Sequence, residues 1–140
     1  MKIGLDTNIL IYAIDSSSEF HKKTISWLNS TSYDFVCPST VIGETLRLLT
    51  HSKVFNKPLT TSKAVAVVEN FLESYTVDLI PENENWWKEL KELSEKDALI
   101  KGNIIFDARI CLCLKFNSVS KIASFDSDLD RFKFIKRISP

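Results

Sequence analysis

Apolar residues come in short runs along this chain, and the runs alternate in character. Lys2–Leu5 (KIGL) is brief and apolar, which predicts a buried strand. Residues 8–14 (NILIYAI) predict a short helix. Residues 19–29 predict a second helix, with Phe20, Ile25, Trp27 and Leu28 to bury. Residues 34–37 (DFVC) predict a strand stopped by Pro38, after which Ser39 or Thr40 can cap a helix reaching about His51. Asn56-Lys57-Pro58 is a turn. Thr60-Thr61-Ser62 opens an amphipathic helix whose Ala64, Val65, Val68, Phe71, Leu72 and Tyr75 follow helical spacing. A third strand is expected at 77–80, closed by Pro81. A helix at 85–96 carries Trp86, Trp87, Leu90 and Leu93. Gly102-Asn103 breaks the chain before a helix over Ile104–Phe116. A fourth strand is expected at 121–125, a turn-rich stretch at 126–130, and a fifth strand at 134–138.

Short apolar strands that alternate with helices predict an α/β fold, with helices on both faces of a mostly parallel sheet. No internal repeat and no linker divides residues 1–140, so a single domain is expected. At 140 residues, 44% of them hydrophobic, the chain can bury most of the surface that it exposes when unfolded. With only 3 Gly and 4 Pro and 26% charged residues, it excludes disordered and collagen-like classes. The apolar run at 9–14 is too short to span a bilayer and follows an Asp rather than a basic region. A cytosolic protein is expected. Cys37, Cys111 and Cys113 are odd in number and lack zinc-site spacing.

Net charge is zero, so bulk charge does not announce a nucleic-acid binder. Residues 101–140 do carry 8 basic against 4 acidic side chains, concentrated in Arg131, Lys133, Lys136 and Arg137. That run is either a solvated rim or an edge that attracts phosphate.

In open α/β sheets, ligands bind beyond the carboxyl ends of the strands, where strand order reverses. Asp6 follows the first expected strand and Asp126 the fourth. Each also has an ordinary alternative: Asp6 can cap a helix and Asp126 can anchor a turn. Glu44 and Asp107 fit a surface role less easily. Glu44 shares a helical stripe with Val41 and Leu48, and Asp107 one with Ile104, Ile110 and Cys111. Acids turn inward when they are paired or bind a metal. Acids gathered at one sheet end repel one another, and a hard cation, Mg²⁺ or Mn²⁺, is the usual compensation. Such a cation orients a phosphodiester and activates water. The chain offers no glycine-rich phosphate loop and no nucleophile–base pair. Both histidines, His21 and His51, are expected to be exposed. Metal-assisted hydrolysis of phosphate esters is the reaction class that remains.

These residues resemble the motifs of the PIN-domain ribonucleases, and within them the toxins of VapC-type toxin–antitoxin pairs. IGLDTNILIY is similar to the family's first motif, STVIGETLRLL to the second with Glu44, GNIIFDARICLC to the third with Asp107, and IASFDSDLDRF to the fourth. The motifs run in order from Asp6 to Phe132. The resemblance implies a three-layer α/β/α fold and an acidic pocket of Asp6, Glu44, Asp107 and Asp126 that holds Mg²⁺ or Mn²⁺ and carries catalysis. Asn8 and Ser124 match positions that hydrogen-bond the acids. Asp128 matches a position where a further acid is frequent, which makes it an additional ligand candidate. Ser124 stands where Thr is commoner. The resemblance further implies an RNA substrate, a cognate antitoxin and a homodimer. Two alternatives stand beside it. A PIN-like interaction module without activity is disfavoured by the four acids. A haloacid-dehalogenase-type phosphatase needs an acid where Asn8 stands.

Overall fold

The computed structural model describes residues 1–140. Five strands form one sheet: β1 (Lys2–Leu5), β2 (Asp34–Pro38), β3 (Asp78–Ile80), β4 (Lys121–Ala123) and β5 (Lys136–Ile138). Their order is β3-β2-β1-β4-β5, and every pairing is parallel. Six helices, α1 (Thr7–Ile14), α2 (His21–Ser30), α3 (Ser39–Leu49), α4 (Thr61–Ser74), α5 (Trp86–Lys96) and α6 (Ile104–Phe116), flank it as the outer layers of a three-layer α/β/α fold. The helices α1 to α4 pack on one another, and α5 packs on α6. No helix is long and apolar enough to cross a membrane.

The chain builds outward from β1 to β3 on one side, then crosses back to lay β4 against the other side of β1. The reversal therefore falls between β1 and β4, and a crevice opens there at their carboxyl ends. The core is continuous beneath it, with Ile3, Leu5, Ile9, Leu10, Val36 and Ile122 wholly buried. Five consecutive residues of α6, Ile110 to Leu114, are all buried. Leu114 lies so close to Gly4 that a Cβ there would stand 2.5 Å from its Cδ2. Only a glycine lets the helix lie that near to the central strand. Gly102, at φ +59°, makes the left-handed break before α6.

The observed elements follow the hydrophobic pattern, and their ends depart from it for identifiable reasons. β4 stops at Ala123 rather than Phe125 because side chains claim the next amides. The Phe125 N–H goes to Asn8 Oδ1 at 3.3 Å and the Asp126 N–H to Ser124 Oγ at 3.0 Å. Asp126 thus stands on a loop past the strand, at the head of a 3₁₀ turn, Ser127–Arg131. β3 lacks Val77, whose N–H closes the end of α4 on the Leu72 carbonyl at 2.9 Å. β5 starts at Lys136 because the Ile135 N–H turns back to the Phe132 carbonyl at 3.0 Å. The helix α2 is displaced by one or two residues from 19–29. The helix α3 springs straight from β2 with Pro38 at the cap position, so neither Ser39 nor Thr40 caps it. Thr40 Oγ1 is buried without a partner. Val65 fits the α4 stripe yet is 37% exposed. The histidines are half-buried, not exposed. His21 Nδ1 lies 2.8 Å from the Tyr12 carbonyl oxygen.

Two of the four residues in the basic run at the C-terminal edge, Arg131 and Arg137, are paired with acids. The Arg137 guanidinium grips both oxygens of Asp130 at 2.8 and 3.0 Å and donates to the Ser124 carbonyl at 3.2 Å. Arg131 pairs with Asp97 at 3.3 Å. Lys133 donates to the Asp130 carbonyl at 2.9 Å. Arg137 is thereby a brace for the loop that carries Asp126.

Candidate metal centre

Asp6 occupies the first position after β1, where the chain turns into α1. Its backbone N–H still completes the ladder, bonding the Ala123 carbonyl of β4 at 3.1 Å. Its carboxylate accepts three hydrogen bonds. The Thr7 N–H reaches Oδ1 at 2.8 Å, the Ser124 hydroxyl reaches Oδ2 at 2.6 Å, and the Asn8 amide reaches Oδ2 at 3.3 Å. Asn8 Nδ2 also donates to Ser124 Oγ at 2.9 Å. Asp6 does cap α1, as its ordinary alternative requires, but that bond uses one oxygen only. The other oxygen is fixed by residues 116 positions apart in the chain.

Glu44 reaches the same crevice from the second turn of α3. Its Oε2 accepts the Thr7 hydroxyl at 2.6 Å. Thr7 therefore ties two acids together, Asp6 through its backbone and Glu44 through its side chain. Sequence reasoning missed Thr7. The small polar residue after a strand-ending Asp was a signal, but only the crossing of α1 and α3 reveals its target. Asp107 enters from the first turn of α6, half-buried. Asp126 enters from the loop after β4, where its Oδ1 accepts the Asp128 N–H at 2.9 Å.

Asp6, Glu44, Asp107 and Asp126 line one cavity of about 230 Å³, together with Thr7, Asn8 and Tyr12. No Lys or Arg lines it. Asp128 is exposed beyond the rim and acts on Asp107 only through its charge. Burial raises the Asp6 carboxyl to about 6, against the pull of its hydrogen bonds, with the charges of Glu44 and Asp126 adding to the rise. Burial likewise lifts Asp107 to about 7, and the charges of Asp6, Asp126, Glu44 and Asp128 push the same way. Burial also raises the thiols of Cys37, Cys111 and Cys113, so none is primed as a nucleophile.

The donor chemistry fits a hard cation. Every candidate ligand is a carboxylate oxygen, and the negative charge in the cavity has no basic side chain on its wall. No three of the His, Cys, Asp or Glu side chains stand so that they would hold a metal ion by themselves. Mg²⁺ does not require such a group: it keeps several waters and takes one or two carboxylates plus substrate oxygens.

A sequence model described as PIN domain matches residues 3–135. Ribonuclease VapC48 of Mycobacterium tuberculosis is 24% identical over 144 aligned residues, covering 100% of this chain and 98% of that protein. Among solved structures, VapC20 of Mycobacterium tuberculosis, a toxin that cleaves the sarcin–ricin loop, superposes with a TM-score of 0.74 at 17% identity, covering 99% of each chain. VapBC2 of Rickettsia felis, bound to a DNA fragment from its promoter, superposes with a TM-score of 0.70 at 18% identity, covering 99% of this chain and 98% of that one.

Proposed function

The chain belongs to the PIN-domain family, and from that premise we propose that it is a divalent-metal-dependent endoribonuclease, the toxin of a toxin–antitoxin pair, acting in the cytoplasm. The observation that carries this reading is the convergence of Asp6, Glu44, Asp107 and Asp126 on one cavity at the sheet's reversal, with Asp6 and Asp107 raised by burial and by their neighbours' charges. The whole-length likeness to Ribonuclease VapC48 supports the nuclease assignment. The likeness to a toxin crystallised within a VapBC assembly supports a cognate antitoxin. A homodimer is part of the same proposal.

Asp6, Glu44, Asp107 and Asp126 would hold Mg²⁺ or Mn²⁺. When bound, the cation polarises a phosphoryl oxygen and lowers the pKa of a coordinated water. The rest is the protein's own contribution. Ser124, Asn8 and the Thr7 N–H fix the Asp6 carboxylate in one orientation. The Thr7 hydroxyl holds Glu44 beside it. Asp107 makes no such bonds and is left close to half-protonated near pH 7, ready to release a proton as positive charge enters the cavity. The acids also repel a bare phosphodiester, so RNA approach depends on their neutralisation.

The decisive experiment incubates the purified protein with structured RNA, with Mg²⁺ or Mn²⁺ and with a chelator. Cleavage that needs the metal and is lost in Asp107→Asn supports the reading. Metal-independent cleavage, or none from the wild-type protein, rejects it.

A further inference from the structure

A second and larger cavity, of about 620 Å³, opens beside the acidic one, and Glu44 lines both. Its walls are one face of α3 and the start of α6. Arg47 projects from α3 one turn beyond Glu44, so the two share a face. Asn103 and Phe106 come from the head of α6, directly before Asp107.

Three features of this wall are uncommitted. The chain has four arginines. Three are paired with Glu82, Asp97 and Asp130. Arg47 has no acid partner and is exposed. Arg109, at the back of the cavity, is locked by Glu82 and stacked on Trp86 at 4.8 Å, so it forms a wall and is not a free donor. Phe106 leaves 57% of its surface in solvent, although it adjoins a half-buried acid. Asn103 stands at the cap position of α6 yet makes no capping bond, which leaves its amide free.

An unpaired guanidinium, an open aromatic face and a free amide are the three groups that grip one nucleotide: phosphate, base plane and base edge. Resting on the ribonuclease reading above, we propose that this cavity seats the nucleotide flanking the scissile phosphate. Its base stacks on Phe106, its edge meets the Asn103 amide, and Arg47 takes the adjoining phosphate. Glu44, shared by both cavities, fixes the distance from this nucleotide to the cut. Arg47, Asn103 and Phe106 are then positioning residues that choose where RNA is cleaved, while the acids cleave it.

The test uses a fluorescein-labelled single-stranded 12-nucleotide RNA for binding to the Asp6→Asn protein, and cleavage of the same RNA by otherwise wild-type protein in Mn²⁺. Phe106→Ala should weaken binding about tenfold, as loss of one base–aromatic stack does, and should raise KM more than it lowers kcat. Phe106→Trp should retain affinity. Arg47→Ala should weaken binding and reduce the slope of log affinity against log salt by about 1. Asn103→Ala should redistribute cleavage among sites. All three tested side chains are exposed, and the Trp variant guards against a folding artefact. If wild-type protein cleaves this RNA and Arg47→Ala and Phe106→Ala leave KM, affinity and salt slope within twofold, the subsite is overturned while the ribonuclease reading stands. If wild-type protein cleaves no RNA in Mn²⁺, both fall together.

Discussion

Burial makes the ionised form of Asp6 costly, despite the hydrogen bonds that its carboxylate accepts. An unfolded aspartate titrates near 3.9, whereas Asp6 keeps its proton to about 6 in the fold. Between those values the native state binds more protons than the unfolded one, so each step up in pH favours unfolding. The stabilisation is complete below about pH 4 and is lost as pH rises through about 6, a swing of about 3 kcal/mol for this residue. Asp107 acts in the same direction up to about 7. In chelator, Asp6→Asn should therefore match or trail wild type near pH 4 and exceed it by roughly 1 to 3 kcal/mol at pH 8 in urea melts. Ribonuclease activity should collapse in the same variant, since a neutral amide is a poor cation ligand. A stability gap that is flat with pH would mean that Asp6 does not titrate as its burial demands. The affinity for Mn²⁺ should tighten from pH 5.5 to 7.5, with protons released on binding, because the ligands must be ionised. Isothermal titration in two buffers of different ionisation enthalpy measures that release.

At the level of elements, the site rests on how closely α6 lies to β1. Gly4→Ala should cost about 1 to 3 kcal/mol by overpacking against Leu114. In a Leu114→Ala background the same change should cost much less, and a double-mutant cycle reads the coupling. The loop after β4 depends instead on Arg137, which holds the Ser124 carbonyl and Asp130. Arg137→Ala should leave the fold intact but demand more Mn²⁺ for half-maximal cleavage, with partial recovery in Arg137→Lys. Much of this was legible in the sequence. The apolar run of KIGL and most of the α4 stripe, Val65 apart, report on burial, and acids on apolar stripes, Glu44 and Asp107, announce an unusual environment. Side-chain capture of backbone amides was not legible. Asn8 ends β4 from 117 positions away by taking the Phe125 N–H, and no local pattern near Phe125 encodes that. The role of Arg137 was hidden for the same reason: a basic run looks alike whether its charges face solvent or brace a loop.

For the molecule as a whole, a ligand that binds only the folded state adds stability by mass action. At ten times its dissociation constant, Mn²⁺ should add about 1.4 kcal/mol, which raises the melting temperature of a chain this size by roughly 3 to 5 °C. Scanning fluorimetry with no shift up to tens of millimolar Mn²⁺ would count against the acid cluster. The strand order has a further consequence, in time rather than in space. β1 is the first element that a ribosome makes and β4 nearly the last, yet Asp6 is seated only when its N–H finds the Ala123 carbonyl and its carboxylate finds Ser124. A nascent chain that has not yet reached residue 121 carries Asp6, Glu44 and Asp107 but leaves β1 with a bare edge where β4 belongs. The acid cluster is therefore incomplete until β4 lies against β1. On the ribonuclease reading, an unfinished chain, surrounded by the RNA of the machine that is making it, lacks the strand that seats Asp6.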